Sequence, residues 1–212
     1  QTCALPILEL SMVNKVILVG GFHEMIELCE DCGYSIVGII DNTISTNYWN
    51  YPIIGTDGDC QELYKKYADI PLVITPDAPI VRKNLFQLYA KVGFHFETVI
   101  SPSARISRSA TIGIGSVIQS GVNVSSNALI GDFVKLNTLC NVMHDCDIND
   151  FATVAPNAVL LGKVSIGEGA YIGANSTTLP YKKIGVSSIV GAGAVVTKDV
   201  EDYSVVKGVP AE

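Results

Sequence analysis

Positive charge is scarce in this chain. Its 212 residues carry 14 Lys and Arg against 21 Asp and Glu, a formal net charge of −7. No Lys/Arg run or basic patch occurs, which excludes nucleic acid as a partner. Long apolar runs are missing too, and none approaches the roughly 18–20 residues of a membrane span. Histidine is rare: His23, His95 and His144 are all there is. The fingerprint G-x-G-x-x-G is absent, which argues against a nicotinamide-dependent oxidoreductase. Six cysteines are present, but without a secretory signal they do not read as a disulfide framework. Residues 1–12 lack a basic n-region and a small-residue cleavage site, and the expectation is a non-native extension without function. A soluble, cytoplasmic protein is expected.

What the chain does have is a period of six. From Ile100 to Ile172 every sixth residue is Ile, Val or Leu, and the phase resumes at Ile184, Val190 and Val196. The fifth position of each six is mostly small, as in Ala104, Ala128, Cys140, Ala158 and Ala194. Neither helical periodicity nor strand alternation produces this pattern, whereas a parallel β-helix does. Three sixes form one triangular coil. The aliphatic residue fills the interior and the small one fits where the wall turns. A single coil cannot bury its own inner face, so stability comes from stacking. Residues 100–212 are assigned to this domain, with about 5–6 coils at ~4.8 Å each. Cys140 and Cys146 fall on different faces and read as small buried residues. Thr178 and Tyr181 interrupt the repeat, and a local bulge is expected there.

Residues 13–99 read differently. Short apolar runs at Lys15–Val19, Ile36–Ile40 and Leu72–Thr75 alternate with helical patterns, and Ile53–Thr56 suits an edge strand. Asp57 or Asp59 is placed to cap a helix through Tyr67, and Thr98–Ile100 is taken as the last strand. Such alternation predicts a small Rossmann-like parallel sheet with helices on its faces. The fold class is therefore α/β followed by all-β. Sheets of this kind bind ligands beyond the C-terminal ends of their strands. Three segments stand there: Gly20-Gly21-Phe22-His23, Asp41-Asn42 and Thr75-Pro76-Asp77. Glycines admit a ligand close to the backbone, and a helix N-terminus favours phosphate. Cys29-Glu-Asp-Cys32 has redox spacing but lies late in a helix, where thiolate activation does not occur, so helix packing explains it better.

Inside the repeat, His144-Asp145 stands out, because His144 is the sole imidazole there. It is the third residue of its six, outside the inner stack. Positions eighteen apart lie above one another, so Gly162 sits above His144 and Ser126 below it, leaving an open slot beside the ring. An adjacent carboxylate can hold the tautomer and raise the basicity of a general base, either directly or across a subunit interface. Zinc catalysis would need three histidines from the coils, so no metal is expected.

These stretches resemble the bacterial sugar O-acyltransferases of the sialic acid O-acetyltransferase type, a family that includes N-acetyltransferases of UDP-4-amino sugars. The resemblance rests on VILVGGFHEMIEL, VGIIDN, the repeat, NVMHDCDI, APNAVLLGKVSIGEGAYIGANST and VVKGVPA, and covers about residues 13–210. It implies a left-handed β-helix, a homotrimer, and acetyl transfer from acetyl-CoA to a nucleotide sugar or sialic acid. His144 would be the base, Asp145 its partner, and Gly162, Ala174 and Ala192 would line acetyl-CoA between neighbouring prisms. Gly20, Gly21, Phe22, His23, Asp41, Asn42 and Thr75 would hold the nucleotide sugar. A second histidine common in the family is Thr153 here, whose hydroxyl could donate to the thioester carbonyl. Thr75-Pro76-Asp77 stands where many relatives have Gly-Asn. A β-helix trimer that kept the fold and lost the chemistry is the alternative.

Overall fold

The computed structural model describes residues 14–212, so the assignment of residues 1–12 lies outside the described residues. The first part of the chain alternates β1 (Lys15–Val19), α1 (His23–Asp31), β2 (Ser35–Ile40), β3 (Ile53–Gly55), α2 (Cys60–Tyr67), β4 (Leu72–Ile74) and α3 (Pro79–Val92). All four strands run parallel in the order β3-β2-β1-β4. The chain moves one way from β1 to β3 and then crosses back to β4. The topological switch point therefore lies between β1 and β4. Strands buried on both faces explain the continuous apolar runs: Val16, Leu18 and Ile39 pack with α1, while Ile17, Val19 and Ile40 pack with α2 and α3. Gly93 ends α3 in the left-handed conformation, φ 111°, as a C-terminal glycine should. The cap before α2 differs from the expected one. Thr56 and Asp59 form a reciprocal box around a single 3-10 turn, and Asp57 instead accepts a hydrogen bond from the Tyr89 hydroxyl.

From Val99 onward the chain is a three-sided parallel β-helix. Its first face holds seven strands, from Val99–Ile100 to Val205–Val206. The second holds six, from Arg105–Ile106 to Val195–Val196. The third holds five, from Thr111–Ile112 to Lys183–Ile184. Register advances by eighteen, as in Leu129 opposite Asp147 and Asn141 opposite Val159. The sixth-residue aliphatics from Ile118 to Val196 and the small fifth-position residues are buried together as one column. The backbone turns at the fourth position rather than the fifth: Asn127, Phe133, Leu139, Asp145 and Lys163 all have φ near +60°. No bulge forms at Thr178, because Thr177–Thr178 pairs in register with Val159–Leu160 and Val195–Val196. Thr178 is fully buried and its hydroxyl has no partner, so the coil keeps its shape at the cost of one unmade hydrogen bond.

Val99–Ile100 is not the last strand of the α/β sheet. It pairs with Val117–Ile118 and opens the first face of the β-helix. That face carries the α/β part. Val117, Lys135 and Thr153 point outward from it and are buried beneath α1, β4 and α3. Arg82 of α3 joins the two halves. Its fully buried guanidinium donates to the carbonyls of Pro76, Asp77, Phe133, Phe151 and Ala152 and to the Thr153 hydroxyl. Phe133 and Phe151, stacked one coil apart at 5.3 Å, receive Phe86 of α3. The five described cysteines are free thiols; burial pushes Cys29 and Cys140 up to about 12. No helix among the described residues is long and apolar enough to cross a membrane.

Candidate active site

His144 follows the strand Asn141–Val142 and sits at the corner between the second and third faces. Its Nδ1 lies 2.9 Å from Asp145 Oδ2 within the same chain, so the carboxylate acts directly. Asp145 is held in turn. It occupies the left-handed turn position, its N–H donates to the Ser126 carbonyl, and its Oδ1 accepts from Asn127 Nδ2 at 3.1 Å. Hydrogen bonds from His144 and Asn127 keep the Asp145 carboxyl below its ordinary range. With Nδ1–H given to a carboxylate, Nε2 is the basic nitrogen. The slot beside the ring is not open: the imidazole itself fills it. A Cβ on Gly162 would lie 2.6 Å from Nε2 and Cε1, so glycine there is what lets the ring lie flat along the corner. Ala174 and Ala192 stack on the corner between the first and second faces, with the Gly193 amide bonded to the Ala174 carbonyl.

Thr153 does not reach this surface. It is fully buried under α3, donates its hydroxyl proton to the Asp77 carbonyl at 2.7 Å and accepts from Arg82. No proton is left for a thioester carbonyl. Its side chain points out from the β-helix, but the α/β part docks on top of it.

At the C-terminal ends of the α/β strands lies a cleft of about 240 Å³, lined by Gly20, Gly21, Phe22, Asp41, Thr75, Pro76 and Asp77. A second hollow of about 230 Å³ adjoins it at Gly20, Asp41 and Pro76 and is lined by Asn42 as well. Phe22 caps α1 without any side-chain hydrogen bond, so the His23 and Glu24 amides are available to an anion, while the Met25 amide is already bonded to the Phe22 carbonyl. Several side chains assigned to ligand are committed to the protein instead. Asp41 Oδ1 takes the Thr43 amide and hydroxyl and the Ile44 amide, while Oδ2 takes only the Gly21 amide. Burial would raise this carboxyl, but those four bonds outweigh it and hold it low. Asn42 is paired both ways with Asp57. Thr75 is buried and bonded to the Val19 and Gly20 carbonyls, and its oxygen occupies the space a Gly20 side chain would need. His23 packs edge-on against Trp49 and lies 3.4 Å from Glu27.

Sequence reasoning missed Lys135. Its Nζ, fully buried, bonds the Thr75 carbonyl at 2.6 Å and Asp77 Oδ1 at 2.9 Å, and faces the Phe22 ring. Burial lowers its pKa and Asp77 partly offsets that. Nothing in the repeat distinguishes Lys135 from a solvated strand residue, because only the docked domain makes its position interior.

One chain does not bring everything together. The α/β cleft rises over the first face, while His144 projects from the corner between the other two. No group of side chains able to hold a metal ion occurs among the described residues.

No family model and no curated protein sequence matches the chain. Solved structures do. GDP-perosamine N-acetyltransferase from Caulobacter crescentus, as a histidine-to-alanine mutant with CoA and GDP-perosamine, is 30% identical with a TM-score of 0.89, covering 94% of this chain and 96% of that one. WeeI from Acinetobacter baumannii is 30% identical with a TM-score of 0.82 over 93% and 99% of the two chains. The acetyltransferase domain of PglB from Neisseria gonorrhoeae, in complex with acetyl coenzyme A, is 28% identical with a TM-score of 0.86 over 94% and 98%. With about 30% identity and a shared fold over nearly the full length of these proteins, the chain belongs to the hexapeptide-repeat, left-handed β-helix acetyltransferases related to GDP-perosamine N-acetyltransferase, PglB and WeeI.

Proposed function

We propose that this protein transfers the acetyl group of acetyl-CoA to an amine of a nucleotide-activated sugar, with His144 as general base. The observation that carries this reading is the His144–Asp145 pair at 2.9 Å, with Nε2 turned along a corner that glycine keeps clear. The amine nitrogen attacks the thioester carbonyl, its proton passes to Nε2, and collapse of the tetrahedral intermediate forms the amide and breaks the carbon–sulfur bond. The proton then leaves with the CoA thiolate. Asp145 stabilises the imidazolium that forms between these steps. An amine acceptor is favoured because the Caulobacter relative is an N-acetyltransferase bound to GDP-perosamine.

The α1 N-terminus would take the diphosphate, and Asp41 Oδ2, which accepts a single bond, can take a ribose hydroxyl. Gly162, Ala174 and Ala192 would line the acetyl-CoA arm. Because the cleft and His144 lie on different sides of one prism, a second copy must supply one of them, and a closed trimer is the simplest assembly. Val117 lies beneath the α/β part and Val122 points into the core, so neither can face a neighbouring copy, whereas Leu129, Ile114 and Leu139 remain exposed outside the docked region and can. Turnover of acetyl-CoA with GDP-perosamine and with UDP- and dTDP-linked 4-amino sugars, followed by mass spectrometry, tests the reading. Loss of turnover in His144→Ala with the assembly intact is the expected result; undiminished turnover would overturn it.

A further inference from the structure

The cleft contains a carboxylate with one oxygen wholly free of the protein. Asp41 is tied to Gly21, Thr43 and Ile44, and Asn42 is tied to Asp57. Asp77, at the end of β4, gives only its Oδ1 to the protein: to Lys135 Nζ at 2.9 Å and to Asn137 Nδ2 at 3.4 Å. Its Oδ2 has no partner among the described residues, and its side chain is 47% exposed. The Asn137 amide that braces it from below has a second polar atom. Asn137 is 4% exposed and its Oδ1 is buried and unbonded. Rotating the amide would not help, since Oδ1 would then face the Asp77 carboxylate. The Asn137 oxygen is sealed inside the protein, so the acceptor that a ligand entering the cleft can reach is Asp77 Oδ2.

The topology says which part of the ligand that is. A nucleotide sugar bound at the switch point spans the sheet from β2 across β1 to β4. Asp41 follows β2 and would meet the nucleoside of such a ligand, α1 follows β1 and would meet its diphosphate, and Asp77 follows β4. We infer that Asp77 reads the sugar: its free Oδ2, braced by Lys135 and Asn137, accepts a hydrogen bond from a ring hydroxyl and orients the sugar for attack. This rests on the acetyltransferase reading above. A hydroxyl is the fitting donor, because a carboxylate on the acceptor amine would favour the protonated form, which cannot attack. Asp77 is a specificity-determining contact, not a base.

The test compares wild type, Asp77→Asn and the double variant Asp77→Asn/Lys135→Met. The double variant removes both charges together, so no buried ammonium is left unpaired. The probes are GDP-perosamine and UDP- and dTDP-linked 4-amino sugars, with the matching nucleoside diphosphate as a sugar-free competitor. For the sugar that wild type acetylates, KM should rise about 10–100-fold in both variants, the loss of one charge-assisted hydrogen bond. Inhibition by the nucleoside diphosphate and the KM for acetyl-CoA should stay within about twofold. Wild-type KM in both variants, or an equal weakening of the sugar-free nucleotide, overturns the inference and leaves the acetyltransferase reading standing. Wild type that acetylates none of the probes overturns both.

Discussion

Gly162→Ala is the sharpest perturbation the site offers. The added Cβ would stand 2.6 Å from His144 Nε2 and Cε1. Ordinary carbon contact begins near 3.5 Å, so the ring must retreat by about 1 Å. Folding should hardly notice. The ring is 55% exposed and free to swing, and Gly162 is not in the left-handed region, so alanine fits its backbone. Catalysis should notice, because a misplacement of about 1 Å can cost ~10²-fold, or about 2.7 kcal/mol of transition-state stabilisation. The expected outcome is kcat reduced by about two orders of magnitude, an unchanged melting temperature and an unchanged CoA affinity, measured by thiol release and calorimetry. Wild-type kcat in Gly162→Ala would refute the placement of the base. So would a defect confined to the KM for acetyl-CoA, which would make Gly162 a matter of cofactor room alone.

His144→Ala should lower kcat by ~10²–10⁴-fold, and Asp145→Asn by less, in steady-state assays with CoA binding retained. Asn127→Gly keeps the left-handed turn while removing the donor to Asp145, so it should lower kcat without lowering the melting temperature; a wild-type rate would count against the Asn127 contact. Arg82→Met should destabilise by about 3–5 kcal/mol in denaturant titration, since it strands several buried acceptors. Asp41 has a depressed folded pKa, so its contribution to stability is complete above the ordinary carboxyl range near 4 and is lost as pH falls through the folded value. The protection of the Thr43 and Ile44 amides, exchange measured against the intrinsic rate at each pH, should therefore fall on acidification in the wild type and be low at every pH in Asp41→Asn. Light scattering at micromolar protein should give a trimer mass, and a stable monomer would contradict the shared site.

The β-helix was legible because its rule is one-dimensional. An aliphatic residue every six places has only one geometry that buries it, and Thr178 could break the composition without breaking the register. The same rule put His144 on a corner and Gly162 in its column, so the place of the proposed base was readable from spacing. What the repeat could not supply is anything that depends on the other domain. Lys135 and Thr153 occupy outward strand positions like any solvated residue, and only the docking of α3 and β4 makes them interior.

The α/β part shows the same division at finer grain. Strand ends, the glycine turn and the helix caps follow from local chemistry, so the sequence alone located the cleft. It could not say which polar side chain in the cleft is spare. Asn42 and Thr75 look like ligand contacts until Asp57 and the Val19 and Gly20 carbonyls are seen to use them, and Asp41 spends one oxygen on its own loop, while Asp77 keeps an oxygen wholly free. Periodicity and turn chemistry are properties of neighbours in the chain, and they determine fold and corner. Satisfaction of a buried hydrogen bond belongs to neighbours in space, and only the tertiary structure decides it.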